Sequence, residues 1–294
     1  EGLALINGTD GMLGQLILAL TDLDTLVTTA DLTTAMTVQA LCGIDAVFAP
    51  DLQALRPHEG QKLSAANIAA LLKDSPLIQA GKSEESKRVQ DAYSLRCAPQ
   101  VTGAVRDTMA HAAHVAQVEL VSAIDSPAVT DDLRVESNGN FHGAPVAYVL
   151  DFLAIAVADL ASMSERRTDR MLDPARSRGL NAFLANDPGV DSGYMIAQYT
   201  QASIVSELKR LAVPASADSI PTSAMQEDHV SLGWSAARKL RRAVDGLGKV
   251  LGVEALTAAR AIDMRGIGAS EPVARVIKLM RESLPEPGPD SFLA

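Results

Sequence analysis

The sequence predicts an all-α fold: a bundle of long, roughly antiparallel helices with functional loops at the helix ends. Three observations carry this. Apolar residues recur at three- and four-residue steps over long stretches. Aromatic residues are only 3% of the chain, whereas strands are usually enriched in them. No segment alternates strand and helix, and no glycine-rich phosphate loop follows a strand.

The elements follow in order. From Gly11 to Gly43, Leu13, Leu16, Ile17, Leu20, Leu23 and Val27 mark one helix face, and Gly43 is a suitable stop. Such a helix is roughly 45 Å long. Its Asp22, Asp24 and Asp31 argue against a membrane span. Ser64 to Lys73 reads as a short helix capped by Ser64. Lys82 to Lys87 is a charged surface loop. Val101 to Ala123 is a second long helix, and Thr130 to Asn140 a polar loop. Pro145 to Met163 is the most apolar stretch, and its Asp151 and Asp159 favour a buried bundle helix. Ser164-Glu165-Arg166-Arg167 reads as its end, with cations at the negative pole of the helix. Asp173 to Gly193 is loop-rich, Tyr194 to Leu211 helical and Val213 to Ser223 irregular. Glu227–Gly246 and Lys249–Met264 read as two helices broken near Gly246. A last helix covers Pro272 to Leu284.

The chain has 294 residues, enough for two average domains or one large helical unit. A chain of this length buries enough surface to need no disulfide or metal staple. The apolar and charged fractions, 47% and 21%, describe a soluble globular composition. A net charge of −10 repels a nucleic-acid backbone on average. Cys42 and Cys97 match no metal spacing and read as reduced thiols of a cytoplasmic protein. No signal peptide is visible. Exposed apolar faces on helices this long predict a homo-oligomer.

Polar loops between helices are where chemistry is expected first. Asn7-Gly8-Thr9 is a turn with Thr9 or Asp10 as a cap, or a carboxamide aimed at a ligand. Gln90 to Cys97 combines a carboxamide, the Tyr93 phenol and the Arg96 guanidinium. A guanidinium grips a carboxylate bidentately, and a phenol can shuttle a proton; the plain alternative is a buried polar turn. Ser137 to Gly143 is a loop capped by Asn140, or a pocket wall built on Phe141. Ser192-Gly193-Tyr194-Met195 is a helix entry. Thr222 to His229 places Glu227, Asp228 and His229 at a helix start, where the dipole alone explains the acids. The five histidines show no HExxH, and Gly-x-Ser-x-Gly is absent, so neither a metal site nor a serine nucleophile leads.

Six phrases occur together and in order: Gly-Leu-Ala-Leu-Ile-Asn-Gly-Thr (2–9), Val-Gln-Asp-Ala-Tyr-Ser-Leu-Arg-Cys-Ala-Pro-Gln-Val (89–101), Gly-Asn-Phe-His-Gly (139–143), Ser-Glu-Arg-Arg (164–167), Ser-Gly-Tyr-Met (192–195) and Pro-Ala-Ser-Ala-Asp-Ser-Ile-Pro-Thr-Ser-Ala-Met-Gln-Glu-Asp-His-Val-Ser (214–231). With them the chain resembles the aromatic amino-acid ammonia-lyase family, on its histidine branch. The resemblance implies non-oxidative elimination of ammonia from L-histidine to trans-urocanate, a carbon–nitrogen lyase activity. It implies the electrophile 4-methylideneimidazole-5-one (MIO), formed from an internal Ala-Ser-Gly, and no metal. By matching phrases, Asn7 and Tyr93 sit by the electrophile. Arg96 holds the substrate carboxylate and Gln90 supports it. Phe141 packs on the substrate, and Glu227 faces the imidazole or amine. An acid at 227 resembles the histidine branch, because the phenylalanine branch usually carries Gln. The family's sites draw on more than one subunit, which implies a homotetramer.

The sequence departs from the family at Ala144, at Val121–Pro127 and at Leu208. No Ala-Ser-Gly occurs in these 294 residues. The resemblance puts that tripeptide, and the tyrosine expected as base, ahead of residue 2. Residues 1–10 therefore read as the end of an electrophile-bearing domain, and 11–294 as the central bundle with C-terminal helices. The partners expected are L-histidine and an N-terminal electrophile-bearing segment or chain, with no nucleic acid and no membrane. The isolated chain is expected to be inactive. The alternatives are a tyrosine or phenylalanine lyase or aminomutase of the same family, or a non-catalytic helical assembly protein.

Overall fold

A computed structural model describes residues 2–83, 88–284 and 288–290; the end of the expected charged loop, 84–87, lies outside them. The described residues are all-α, with one short hairpin. The helices are α1 (Gly2–Ile6), α2 (Asp10–Ala40), α3 (Pro50–Ala54), α4 (Glu59–Leu72), α5 (Pro76–Gly81), α6 (Tyr93–Arg96), α7 (Ala98–Leu120), α8 (Ala144–Leu172), α9 (Met195–Leu211), α10 (Gly233–Arg265) and α11 (Glu271–Ser283). Strands β1 (Ala128–Val129) and β2 (Val135–Glu136) pair antiparallel, β2 within the 130–140 stretch expected to be plain loop and β1 just ahead of it.

The chain forms two compact units. One comprises residues 1–25, 107–158 and 207–246; the other comprises 26–106, 159–206 and 247–294. In the first, Leu13, Leu16, Ala19 and Leu23 of α2 are buried at helical spacing. So are Val146, Leu150, Leu153 and Val157 of α8. The second unit has its own core, in which Met36, Leu41, Phe48, Ile68, Leu77, Leu95 and Ile262 pack together.

Several boundaries correct the sequence reading. Helix α4 begins at Glu59 after His58, so Ser64 is no cap. Its hydroxyl is buried and accepts from Arg106 Nε at 3.0 Å. Helix α8 does not end at Ser164-Glu165-Arg166-Arg167 but runs on to Leu172. Arg167 is wholly buried there, in an ion pair that makes its charge a core feature rather than a dipole partner. Helix α10 passes through Gly246 unbroken, because Val244, Leu247, Val250 and Leu251 are all buried. Packing outweighs the local cost of one glycine. Because α10 starts only at Gly233, the acids Glu227 and Asp228 lie ahead of it in the loop, outside the reach of the helix dipole. Asn140 does not cap α8; its carboxamide nitrogen donates to the carbonyl of Ala123.

By length and composition, α2 and α8 could each cross a membrane. Asp151 of α8 nonetheless finds protein partners. Asp151 accepts from Lys239 Nζ at 2.6 Å and from the Ser216 amide at 2.7 Å. Paired carboxylates of this kind suit a core helix.

Candidate active site

Three loops of the first unit converge on a cavity of about 540 Å³, lined by Asn7, Phe141, His142, Glu227, Asp228 and His229 among others. The first loop is the turn between α1 and α2. The Asn7 amide closes it onto the Leu3 carbonyl at 2.9 Å. The buried Thr9 hydroxyl donates to Glu119 Oε1 of α7 at 2.5 Å, so Thr9 ties the turn down through its side chain. The Asn7 carboxamide is exposed and has no hydrogen-bond partner among the described residues.

The second loop runs from Ser137 to Gly143. Asn138 organises it: its amide donates to Ser126 Oγ at 3.2 Å, its carboxamide donates to the Asp125 carbonyl at 3.0 Å, and its Oδ1 accepts the Asn140 amide at 2.8 Å. This is the local Asx pattern that competes with regular structure. Phe141 follows, half exposed at the cavity.

The third loop carries Glu227. Ser223, Ala224 and Met225 are consecutive residues with φ of 49°, 53° and 68°, the left-handed region that non-glycine residues seldom adopt. The turn is held by paired backbone hydrogen bonds between Thr222 and Glu227, at 2.9 and 3.2 Å. Strain of this kind persists where surrounding contacts over-determine it, and it clusters at functional sites. The Thr222 hydroxyl also donates to the Glu227 carboxylate. That hydrogen bond, and a second from Ser223, hold the Glu227 carboxyl below its ordinary range.

Met12 of α2 sets both loop-to-helix junctions. A Cβ at Gly143 would lie 2.8 Å from the Met12 sulfur, and one at Gly233 only 2.5 Å from it. A side chain at either position would have to push the end of the Met12 side chain aside.

Gln90, Tyr93 and Arg96 belong to the second unit. The Arg96 guanidinium lies over the Tyr93 ring, 4.6 Å from its centroid, as a cation–π pair. Its Nε donates to the Asp91 carbonyl at 2.9 Å. No acid is ion-paired with Arg96 among the described residues. Gln90 is exposed just ahead of this turn. The turn is anchored from below. Arg167 donates through Nη1 to the Ser94 carbonyl at 3.3 Å, and through Nε and Nη2 to Glu254 at 2.5 and 2.8 Å. Glu254 also accepts from Thr33 at 3.0 Å and Thr37 at 2.8 Å.

Of the six residues singled out in the sequence, the structure therefore gathers Asn7, Phe141 and Glu227 around one cavity. It stacks Arg96 on Tyr93 in the other unit. Sequence reasoning missed the Arg167–Glu254 anchor and the contact between His142 and His229, because each joins residues 87 positions apart. The only trace of the first was the Ser-Glu-Arg-Arg phrase. No group of three or more metal-ligating side chains is found among the described residues.

The sequence profile of the family described as Aromatic amino acid lyase matches residues 1–282. The chain belongs to that family. Among its relatives, a histidine ammonia-lyase of Streptomyces coelicolor is 65% identical over 296 residues, covering 100% of this chain and 58% of the relative. A solved histidine ammonia-lyase from Trypanosoma cruzi superposes with a TM-score of 0.89 at 40% identity, over 99% of this chain and 55% of that one. A solved tyrosine aminomutase from Streptomyces globisporus gives 0.92 at 38% identity, over 99% and 59%. The chain thus spans somewhat over half the length of the relatives it matches. Membership in the aromatic amino acid lyases agrees with the all-α architecture and with the loops that carry the six phrases.

Proposed function

We propose that this chain is the helical body and substrate grip of a histidine ammonia-lyase, a carbon–nitrogen lyase that eliminates ammonia from L-histidine to give trans-urocanate. The observation that carries the reading is the cavity that gathers Asn7, Phe141 and Glu227, with an ionised acid where an imidazole or amine needs an acceptor. The 65% identity to a histidine ammonia-lyase supports it.

The roles follow from chemistry. Arg96 binds the substrate carboxylate through a fork already pre-oriented by the Tyr93 ring. Gln90 supports that grip, and Tyr93 holds or moves a proton at its phenol oxygen. Phe141 covers the apolar face of the substrate. Glu227 accepts a hydrogen bond from the imidazole or amine. The MIO group belongs to the proposal through the family, and it would come from an Ala-Ser-Gly supplied by an N-terminal segment or chain. The open Asn7 carboxamide fits it, since an amide N–H suits the carbonyl of an imidazolone ring. When bound, that group supplies an electrophile for the substrate amine. A cytoplasmic location and a homotetramer complete the proposal.

The test is a substrate panel on the full-length protein, following urocanate by its ultraviolet absorbance. Histidine is expected to turn over best, and the 294-residue chain alone to form no urocanate. Better turnover of tyrosine or phenylalanine would overturn the reading.

A further inference from the structure

The cavity holds two imidazoles that the reading above leaves without a role. His142 Nε2 and His229 Nδ1 lie 3.3 Å apart. Their ring centroids are 5.4 Å apart and the planes differ by 23°. Both rings are held by their loops. The His142 amide donates to the Gly139 carbonyl at 3.0 Å, and the Val230 amide donates to Ser219 Oγ at 2.8 Å.

The contacts favour one pair of tautomers. The Ala144 amide points at His142 Nδ1 at 3.4 Å, so that nitrogen carries the lone pair. A neutral imidazole has one donor and one acceptor nitrogen. In that assignment His142 carries its proton on Nε2 and donates it to His229 Nδ1. With Nδ1 accepting, His229 carries its own proton on Nε2, and no partner for that nitrogen is found among the described residues. In this assignment a backbone amide two residues along the chain sets which nitrogen of a cavity-lining imidazole is the donor.

We propose that the His142–His229 pair is a specificity device: it offers His229 Nε2–H as a neutral donor which, together with the Glu227 carboxylate as acceptor, recognises a ligand imidazole ring. This rests on the histidine reading above. A neutral imidazole ring offers one donor and one acceptor, and the two cavity groups are their complements. A phenyl ring offers neither and would leave both groups unpaired. Sites built to hydrogen-bond a substrate reject analogues lacking that group far better than apolar pockets reject a change in size.

The experiment uses the full-length enzyme. His229→Phe keeps the ring and removes both nitrogens; His142→Phe removes the donor that sets the tautomer. His229→Phe is expected to raise KM for histidine about 10–100-fold, as for one or two lost hydrogen bonds. It should change kcat less and narrow the preference for histidine over phenylalanine. His142→Phe should act in the same direction but more weakly. His229→Gln, whose amide restores an N–H, should recover part of the loss. A second readout is independent of turnover. Long-range ¹⁵N–¹H correlations, assigned by the signals lost in His142→Phe and His229→Phe, should show Nε2–H tautomers at both positions, and added imidazole should shift the His229 signals. If wild-type enzyme turns over histidine but His229→Phe leaves KM unchanged, or if His229 is an Nδ1–H tautomer, the proposal fails while the histidine reading stands. If wild-type enzyme prefers tyrosine or phenylalanine, the histidine reading falls and the ligand assignment falls with it.

Discussion

Removing the Glu254 carboxylate tests the anchor under the Tyr93 turn. The Glu254→Leu change leaves the Arg167 guanidinium, which is wholly buried, without its counter-charge, and leaves Thr33 and Thr37 without the acceptor they share. Breaking a buried pair by removing one partner costs about 3–5 kcal/mol, because the remaining charge stays desolvated. Unfolding entropy is about 2.1 cal/mol/K per residue, or about 0.6 kcal/mol/K for a chain of 294 residues. The midpoint should therefore drop by about 5–8 °C. The double change Arg167→Met with Glu254→Leu replaces the pair by apolar groups and should recover most of that loss, since such exchanges are often neutral. Differential scanning calorimetry of both variants checks this. The reasoning is refuted if the single variant melts with the wild type, or if the double variant is no better than the single one.

Three further predictions concern the backbone and the cavity loop. Gly103→Ala should lower the unfolding free energy from urea titration by about 3 kcal/mol without changing the slope, because the new Cβ would lie 2.3 Å from the Gln61 amide nitrogen, and backbone cannot step aside. Gly252→Ala in α10 should instead raise stability by about 1 kcal/mol, because its Cβ meets nothing within 4 Å. Thr222→Val should move the Glu227 carboxyl up toward its ordinary range, read by ¹³C titration of the side chain. Because the folded value is depressed, the stability Glu227 contributes is present above the ordinary carboxylate pKa of about 4.3 and is lost as pH falls through the lower folded value. A Glu227 titration unmoved by Thr222→Val would remove the hydroxyl as its cause.

What the sequence made legible is local periodicity and loop chemistry. The apolar spacing from Leu13 to Val27 is enough to place α2, and the Asn- and Gly-rich stretch before α8 is enough to mark the Phe141 loop. Features that depend on distant partners stayed hidden. The cations of Ser-Glu-Arg-Arg looked like a helix terminus because their position is all a sequence displays. Arg167 is instead satisfied by Glu254, 87 residues later. Gly246 looked like a break because propensity is local, whereas the burial that carries α10 through it is tertiary. Each histidine of the 142–229 pair, taken singly, is an ordinary loop residue. Only the meeting of the two loops brings their ring nitrogens to 3.3 Å.

Met12 gives the two cavity loops a shared chemical vulnerability. Its sulfur fills the space left by the absent side chains of both Gly143 and Gly233, so neither junction has spare volume on that side. Oxidation to the sulfoxide adds an oxygen to that atom and makes an apolar chain polar. An oxygen on that atom would bear on the entry to α8 and the entry to α10 together. Oxidation of Met12 is therefore expected to perturb the loops that carry Phe141 and Glu227 together, and methionine sulfoxide reductase chemistry would be the route back.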